Sequence, residues 1–456
     1  MKTQKTNWYL AILAFLVISI SLSSCEEDDD NTMDNDNNNK TETNTIVDIA
    51  VSDDSFSILV QALTKANLVS ALNGSTDYTV FAPTDDAFAT LLNDLGATSL
   101  DDIQEDVLKS ILLYHVVAGS NTSGSLSTGY YSSISPKEMG YNYSLYFSKE
   151  DLMINGMVKV TQADIMADNG VIHVVDKVIL PASITDHAIA NAGLSDLTAA
   201  IVKAELATAL DDDNNNFTVF APTNDAFATL FSDLNVTLDD LSKEALIPIL
   251  LYHVVNAFVP AANITSGYVN TLSMGQDNYL SVNVNINASS EGVWLNSGAQ
   301  VILTNVVATN GIIHVIDNVI LPNSVVDIAI NNSNFSILVE AVVKAELAET
   351  LSGAGPFTVF APTNDAFSAL FAALNVSGIA DLDKQTLTPI LLAHVVDGNV
   401  RSTDLSNGTV PTLNDGKSLS IDISDGVYID TDSRVILADV QGTNGVVHAI
   451  DKVIVP

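Results

Sequence analysis

The tightest constraint on this chain is a ten-residue phrase that occurs three times. It runs from Thr79 through Val80, Phe81, Ala82, Pro83, Thr84, Asp85, Asp86 and Ala87 to Phe88. It returns from Thr218 to Phe227 and again from Thr358 to Phe367, with Asn224 and Asn364 where the first copy has Asp85. Phe81, Phe220 and Phe360 are separated by 139 and then 140 residues. Solenoid repeats run about 20–50 residues, so a period this long is a whole domain. The chain is therefore one module built three times, which suits its 456 residues.

The phrase has its own physics. Thr-Val-Phe is a β-branched and aromatic run, as in a buried strand. Pro lacks an N–H and ends the strand. The Thr after it is a helix N-cap, and the following Asp or Asn suits the positive end of a helix dipole. Phe88 with Leu91 or Leu92 begins an apolar helical face. The segment predicts strand, stop and capped helix, which is a folding signal rather than a reaction centre.

Each copy opens similarly, at Ile46 to Ala50, Ile184 to Ala188 and Val325 to Ala329. Each then has a helical pattern, the phrase, and a second helix running into a strand over 107–117, 245–255 and 386–396. A variable region of alternating strands follows. Each copy closes on Asn-Gly-x-x-His-x-x-Asp: Asn169 to Asp176, Asn310 to Asp317 and Asn444 to Asp451. Asn-Gly between β-branched runs predicts a hairpin in which both residues take positive φ. The expected boundaries are 45–182, 183–323 and 324–456, joined by linkers short enough for a semi-rigid row. The chain stops at Pro456, directly after the third hairpin, so no C-terminal anchoring domain is expected.

The N-terminus reads differently. Lys2 and Lys5 precede an apolar run from Trp8 to Leu22, short of the roughly 20 residues of a membrane span. Residues 1–24 read as a signal peptide, and Leu22-Ser23-Ser24-Cys25 resembles a bacterial lipobox. Cys25 is the only cysteine, so it has no internal disulfide partner and is the expected lipidation site. Residues 25–44 form an acidic, disordered tether with almost nothing to bury. Its Glu-Glu-Asp-Asp-Asp start resembles the surface-export signal of Bacteroidetes lipoproteins, the plainer reading being a solubilising spacer. Overall, 17 Lys and Arg face 55 Asp and Glu. That balance argues against nucleic acid and against direct adsorption on anionic lipid.

Three ordered motifs, repeated three times, resemble the fasciclin domain from about residue 45 to 456. The motifs are the ten-residue phrase, the closing hairpin, and a Tyr-His pair before Val-Val. That pair is Tyr114-His115 and Tyr252-His253, but Ala393-His394 in the third copy. The resemblance implies an α+β fold, each domain a β-wedge of about seven strands with packed helices. It also implies extracellular adhesion or matrix-interaction modules and no enzymatic activity. In animal members, residues around the Tyr-His motif and the final hairpin are implicated in integrin contact. The third copy, with Ala393, lacks whatever role the Tyr carries.

The histidines allow a sharper alternative. His115 with His173, His253 with His314, and His394 with His448 are positioned to meet within a module, and two His with an Asp suit zinc or iron. The plainer reading is that each satisfies a buried polar group. Structural or interaction roles are expected, with no metal, cofactor or catalytic residue. Asp85, Asp86, Asp225 and Asp365 read as capping residues, and Asp211 to Asn216 as a solvated turn rather than a calcium loop. Asp422, Asp425, Asp430 and Asp432 read as the wet face of one antiparallel strand across Ile421 to Ile429. No phosphate loop, dinucleotide fingerprint or hydrolase signature is present.

The expectation is a monomeric lipoprotein of the bacterial outer membrane, exposed at the surface and held by lipid on Cys25. Its partner is an extracellular protein or glycan, bound in the variable regions near 120–160, 256–300 and 398–435. Glycan capture for nutrient uptake is the alternative. Tyr130, Tyr131, Tyr141, Tyr143, Tyr146, Phe147 and Trp294 are the aromatic candidates for binding in these regions, with core packing as their plainer role.

Overall fold

The computed structural model describes residues 44–212, 214–275, 278–287 and 292–456. The signal segment, Cys25 and nearly all of the tether lie outside the described residues. The chain divides into two compact units, residues 1–182 and 183–456.

In the first unit, α1 (Ile46–Ser52), α2 (Ser57–Lys65) and the short α3 (Val69–Leu72) precede the strand β1 (Tyr78–Pro83). After it come α4 (Asp85–Leu95), α5 (Glu105–Tyr114) and β2 (Val116–Ala118). The variable region supplies β3 (Gly129–Pro136), β4 (Asn142–Ser148) and β5 (Met153–Ile154), and the closing hairpin is β6 (Val158–Ala167) with β7 (Gly170–Val175). The order repeats in the other two modules.

Local chemistry sets these boundaries. Thr45 caps α1 in a reciprocal box with Asp48, as Ser183 does with Asp186 and Ser324 with Asp327. Thr84, Thr223 and Thr363 cap the helix after the central strand, each accepting the N–H three residues on. That helix ends on a left-handed residue, Gly96 at φ 66°, Asn235 at 51° or Asn375 at 55°. Strand, stop and capped helix therefore form as the phrase predicts.

β1 is the hub of the sheet. It pairs antiparallel with β2 and parallel with β7, so the first and last strands of the module lie side by side. β2 reaches β3 through Val117 opposite Ser133, which closes the first module into a seven-stranded barrel. The other two modules have seven-stranded sheets open at that seam. Side chains alternate along β1. Val80 and Ala82 face the helices, joining a core with Phe56, Phe88, Leu108 and Ile172. On the other face, at the position of Phe81, Phe220 and Phe360 of the other two modules point into the sheet interior, with Leu295 and Ile316 in one and Ile429 and Ile450 in the other.

The closing hairpin is present, but its Asn-Gly acts differently from the sequence reading. Gly170 has φ 144°, whereas Asn169 is not in the positive-φ region. The Asn side chain is a staple: Asn169 Oδ1 accepts from Ile46 N at 2.9 Å, and its Nδ2 donates to Leu72 O and Gly74 O at 2.8 and 2.9 Å. Asn310 and Asn444 repeat it on Ile184 with Leu210, and on Val325 with Leu351 and Gly353. The Gly admits the neighbouring strand, since a Cβ on Gly170 would lie 1.9 Å from Tyr78 O.

Within the second unit, the two modules are joined through polar contacts. Asn283 Nδ2 and Ser297 Oγ both donate to Asn331 O, at 2.7 and 2.8 Å. Asn332 Nδ2 donates to Tyr268 OH at 3.0 Å, and Gln441 N donates to Ser281 Oγ at 3.1 Å. The Tyr268 side chain rests against the third module's core.

Candidate functional site

The Tyr-His pair sits where α5 hands over to β2. His115 caps the helix, and its ring is buried. Its Nδ1 lies 2.7 Å from Ile111 O, and its Nε2 accepts from Ile179 N at 2.8 Å. A carbonyl on one side and an N–H on the other fix the neutral, Nδ1-protonated tautomer. Burial pushes its pKa down to about 4. His253 bridges Ile249 O and Ile320 N, and His394 bridges Ile390 O and Ile454 N, with the same depression. The histidine ties the end of the helix to the segment that leaves the module.

Tyr114 is fully buried, donating to Ser144 O at 2.6 Å and accepting from Asn155 Nδ2 at 2.9 Å. Tyr252 repeats this with Ser281 O and Asn296. Asn155 Oδ1 also takes the N–H of Tyr146, and Asn296 Oδ1 that of Asn283. The third module departs here as a set. Ala393 removes the phenol, Asp430 stands where the Asn stood and accepts Ser420 N, and Lys417 pairs with its other oxygen at 2.8 Å. With no Tyr hydroxyl to receive an amide N–H, a carboxylate with a cation satisfies the same backbone group. Asn155 and Asn296 lie in the variable regions, outside the three repeated motifs. An Asn, Asn, Asp series at matched positions, alongside Tyr, Tyr, Ala, was the available signal.

Asp430 is thus no wet-face residue, which corrects the reading of Ile421 to Ile429 as one strand. The strand Ser418–Asp422 breaks before Tyr428–Ile429. The Asp422 carboxylate folds back on Ser424 N and Oγ, and Gly426 has φ 92°.

The hairpin histidines take the opposite tautomer. His173 Nε2 lies 2.9 Å from Asn121 O, while its Nδ1 accepts from Asp164 N at 3.3 Å. His314 uses Val259 O and Asn305 N; His448 uses Val400 O and Asp439 N. Each ring stacks on the Phe of the central strand, at 5.5, 5.8 and 5.6 Å between centroids. Burial lowers all three pKa values. Asp164 and Asp439 approach the ring at about 4 Å but spend their carboxylates on Ser123 and Ser402. Both nitrogens of all six rings are therefore engaged with backbone. Among the described residues, no group of three or more His, Cys, Asp or Glu side chains is placed to hold a metal.

Asp85 does more than compensate a dipole. Its carboxylate accepts Ile58 N at 2.7 Å, and Asn224 and Asn364 accept Asp196 N and Ile337 N. This residue starts two helices at once. Asp211 accepts Thr185 Oγ1, and Asp212 turns on Asn214; Asp213 lies outside the described residues.

The aromatic candidates of the first module are largely interior. Tyr143, Tyr146 and Phe147 are buried, with Tyr130 edge-on to Tyr146 at 61°. Tyr131 and Tyr141 are half-buried, as is Trp294 in the second module. These rings do not form an exposed coplanar platform. No helix among the described residues is long and apolar enough to cross a membrane.

This architecture, three α+β modules each with its first and last strands paired, defines a tandem-repeat scaffold whose recurring polar residues serve backbone. The chain matches the family model of the Fasciclin domain over residues 54–181, 192–322 and 333–456, and it belongs to that family. It is 27% identical to human periostin over 422 residues, 90% of this chain and 47% of that one. It is 35% identical over 117 residues to the cell surface glycolipoprotein MPB83 of Mycobacterium bovis, 25% of this chain and 48% of that one. The chain thus spans about half the length of each. A FAS1 domain pair from the insect cell adhesion molecule fasciclin I aligns over 58% of this chain and 97% of that one, with a TM-score of 0.39 and 22% identity.

Proposed function

We propose that this is a non-enzymatic adhesion or matrix-interaction protein, anchored at the bacterial surface by lipid on Cys25. The observation that carries the reading is the complete commitment of the recurring polar side chains. The His and hairpin Asn residues common to the modules, and the Tyr of the first two, hold backbone groups, which leaves recognition to the parts that vary. Residues 120–160, 256–300 and 398–435 are those parts. Three modules on one tether add weak individual contacts into avidity. The lipobox-like run before Cys25 and the acidic stretch after it support an outer-membrane, surface-exposed placement, and the name of the MPB83 relative accords with it.

The test is binding of the purified protein to a panel of matrix proteins, whole cells and soluble glycans. Saturable retention on cells or matrix is the expected result. Saturable glycan binding with no adhesion would replace this reading with glycan capture, which the inward packing of Tyr143, Tyr146 and Phe147 disfavours. Radiolabelled fatty acid should enter the wild-type chain and not Cys25→Ser.

A further inference from the structure

In the second module a cavity of about 80 Å³ opens among the strands and the loop after Val255. Phe220 and Val284 form its depth, Val269 one wall, and Asn263 and Thr265 stand exposed beside it. The first module carries larger side chains at the matching strand positions. Gly129 pairs with Phe147 and Tyr131 with Leu145, as Gly267 pairs with Val284 and Val269 with Val282. Val269 therefore stands where the first module has Tyr131, and Val284 where it has Phe147. The Tyr131 hydroxyl accepts from Ser127 N and donates to Ser127 O, both at 2.9 Å. Ser127 precedes Gly129 by two residues, as Thr265 precedes Gly267. In the first module a phenol thus spans strand to loop. In the second, two rings have become two isopropyl groups, and Val269 has no hydroxyl for the Thr265 backbone.

We propose that this cavity receives a tyrosine side chain of a protein partner, its ring against Phe220, Val269 and Val284 and its hydroxyl on the Thr265 backbone. The volume is roughly half that of an engineered cavity of about 150 Å³ that takes benzene, so the ring enters only in part. Tyr131 is itself only half-buried, so partial enclosure is how the fold already holds a phenol. With a formal charge of −38, the chain favours a tyrosine flanked by basic residues. The proposal rests on the adhesion reading only for the partner being a protein.

The test uses the full chain with labelled Val, Leu and Ile methyl groups. 4-Methylphenol should shift the signals of Val259, Ile264, Val269 and Val284 saturably. Toluene should bind about fivefold more weakly, lacking one hydrogen bond. The capped peptide Lys-Tyr-Lys should move the same methyls, and Lys-Ala-Lys should not. Val269→Tyr, which rebuilds the first module's filling, should abolish binding and keep the melting temperature at or above wild type. If it lowers that temperature, Val284→Phe serves as the blocking variant. Absence of shifts with 4-methylphenol, equal binding of toluene, or unchanged binding in the blocking variant would overturn the site. Binding of 4-methylphenol without Lys-Tyr-Lys would overturn the protein partner. Peptide binding with a negative adhesion panel would uphold the site and sink the adhesion reading alone.

Discussion

At the scale of residues, the histidines make the fold sensitive to acid. His115, His253, His394 and His187 are held neutral by burial, with pKa values of about 4 against an ordinary 6.5. Between those pH values only the unfolded chain takes up these protons. The stability they contribute is full above about pH 6.5 and is lost as pH falls towards 4, by roughly 1.4 kcal/mol per pH unit for each histidine. Denaturant titrations between pH 7.5 and 4.5 should show a steady decline, and a flat profile would contradict it. The Lys417–Asp430 pair makes a second prediction. Its side chains are 23% and 27% exposed, so a double-mutant cycle with Lys417→Ala and Asp430→Asn should give a coupling of about 1 kcal/mol. Asp430→Asn should cost less when combined with Ala393→Tyr and Lys417→Leu, which rebuild the second module's arrangement.

Among the elements, the hairpin staple holds the module's ends together. Asn169→Ala removes three hydrogen bonds to backbone groups and should destabilise the first module by about 2–3 kcal/mol. Asn169→Asp keeps the acceptor and loses the two donors, so it should be nearly as damaging. Helix packing carries the opposite opportunity. The third module has a cavity of about 70 Å³ lined by Val325, Val342 and Val447, whose counterparts in the first are Ile46, Leu63 and Ile172. Val342→Leu with Val447→Ile should raise stability by about 1 kcal/mol, read as a higher denaturant midpoint at unchanged slope. A lowered midpoint would mean the helices cannot accommodate the added methyl groups.

For the whole molecule, the polar junction through Asn331, Asn332 and Gln441 binds the second and third modules into one compact unit. Calorimetry of the full chain should show those two modules melting in a single cooperative transition. Asn283→Ala with Tyr268→Phe should split it or broaden it. Charge acts at this scale too. At −38, contacts with basic partners should weaken steeply between about 50 and 500 mM salt, mainly through slower association. The tripled phrase and its spacing made the module count, the strand–cap–helix order and the family legible before any coordinates. The site was far less legible, because the phrase says nothing of where a side chain ends.

What the sequence by itself determined is therefore local and periodic. Caps, strand stops, the hairpin position and the recurrence of Tyr, His and Asn follow from neighbours within a few residues. Only the tertiary structure decided what those residues hold. Asn169 reaches Ile46 across 123 positions and His115 reaches Ile179 across 64, partnerships that exist only once β1 and β7 lie side by side. The replacement of a Tyr-Asn pair by Asp430 and Lys417 leaves only the paired series Tyr, Tyr, Ala and Asn, Asn, Asp in one dimension, with no sign that the two are in contact. It is one backbone need, recurring in each module and met by different chemistry, and its geometry shows only where the strands converge.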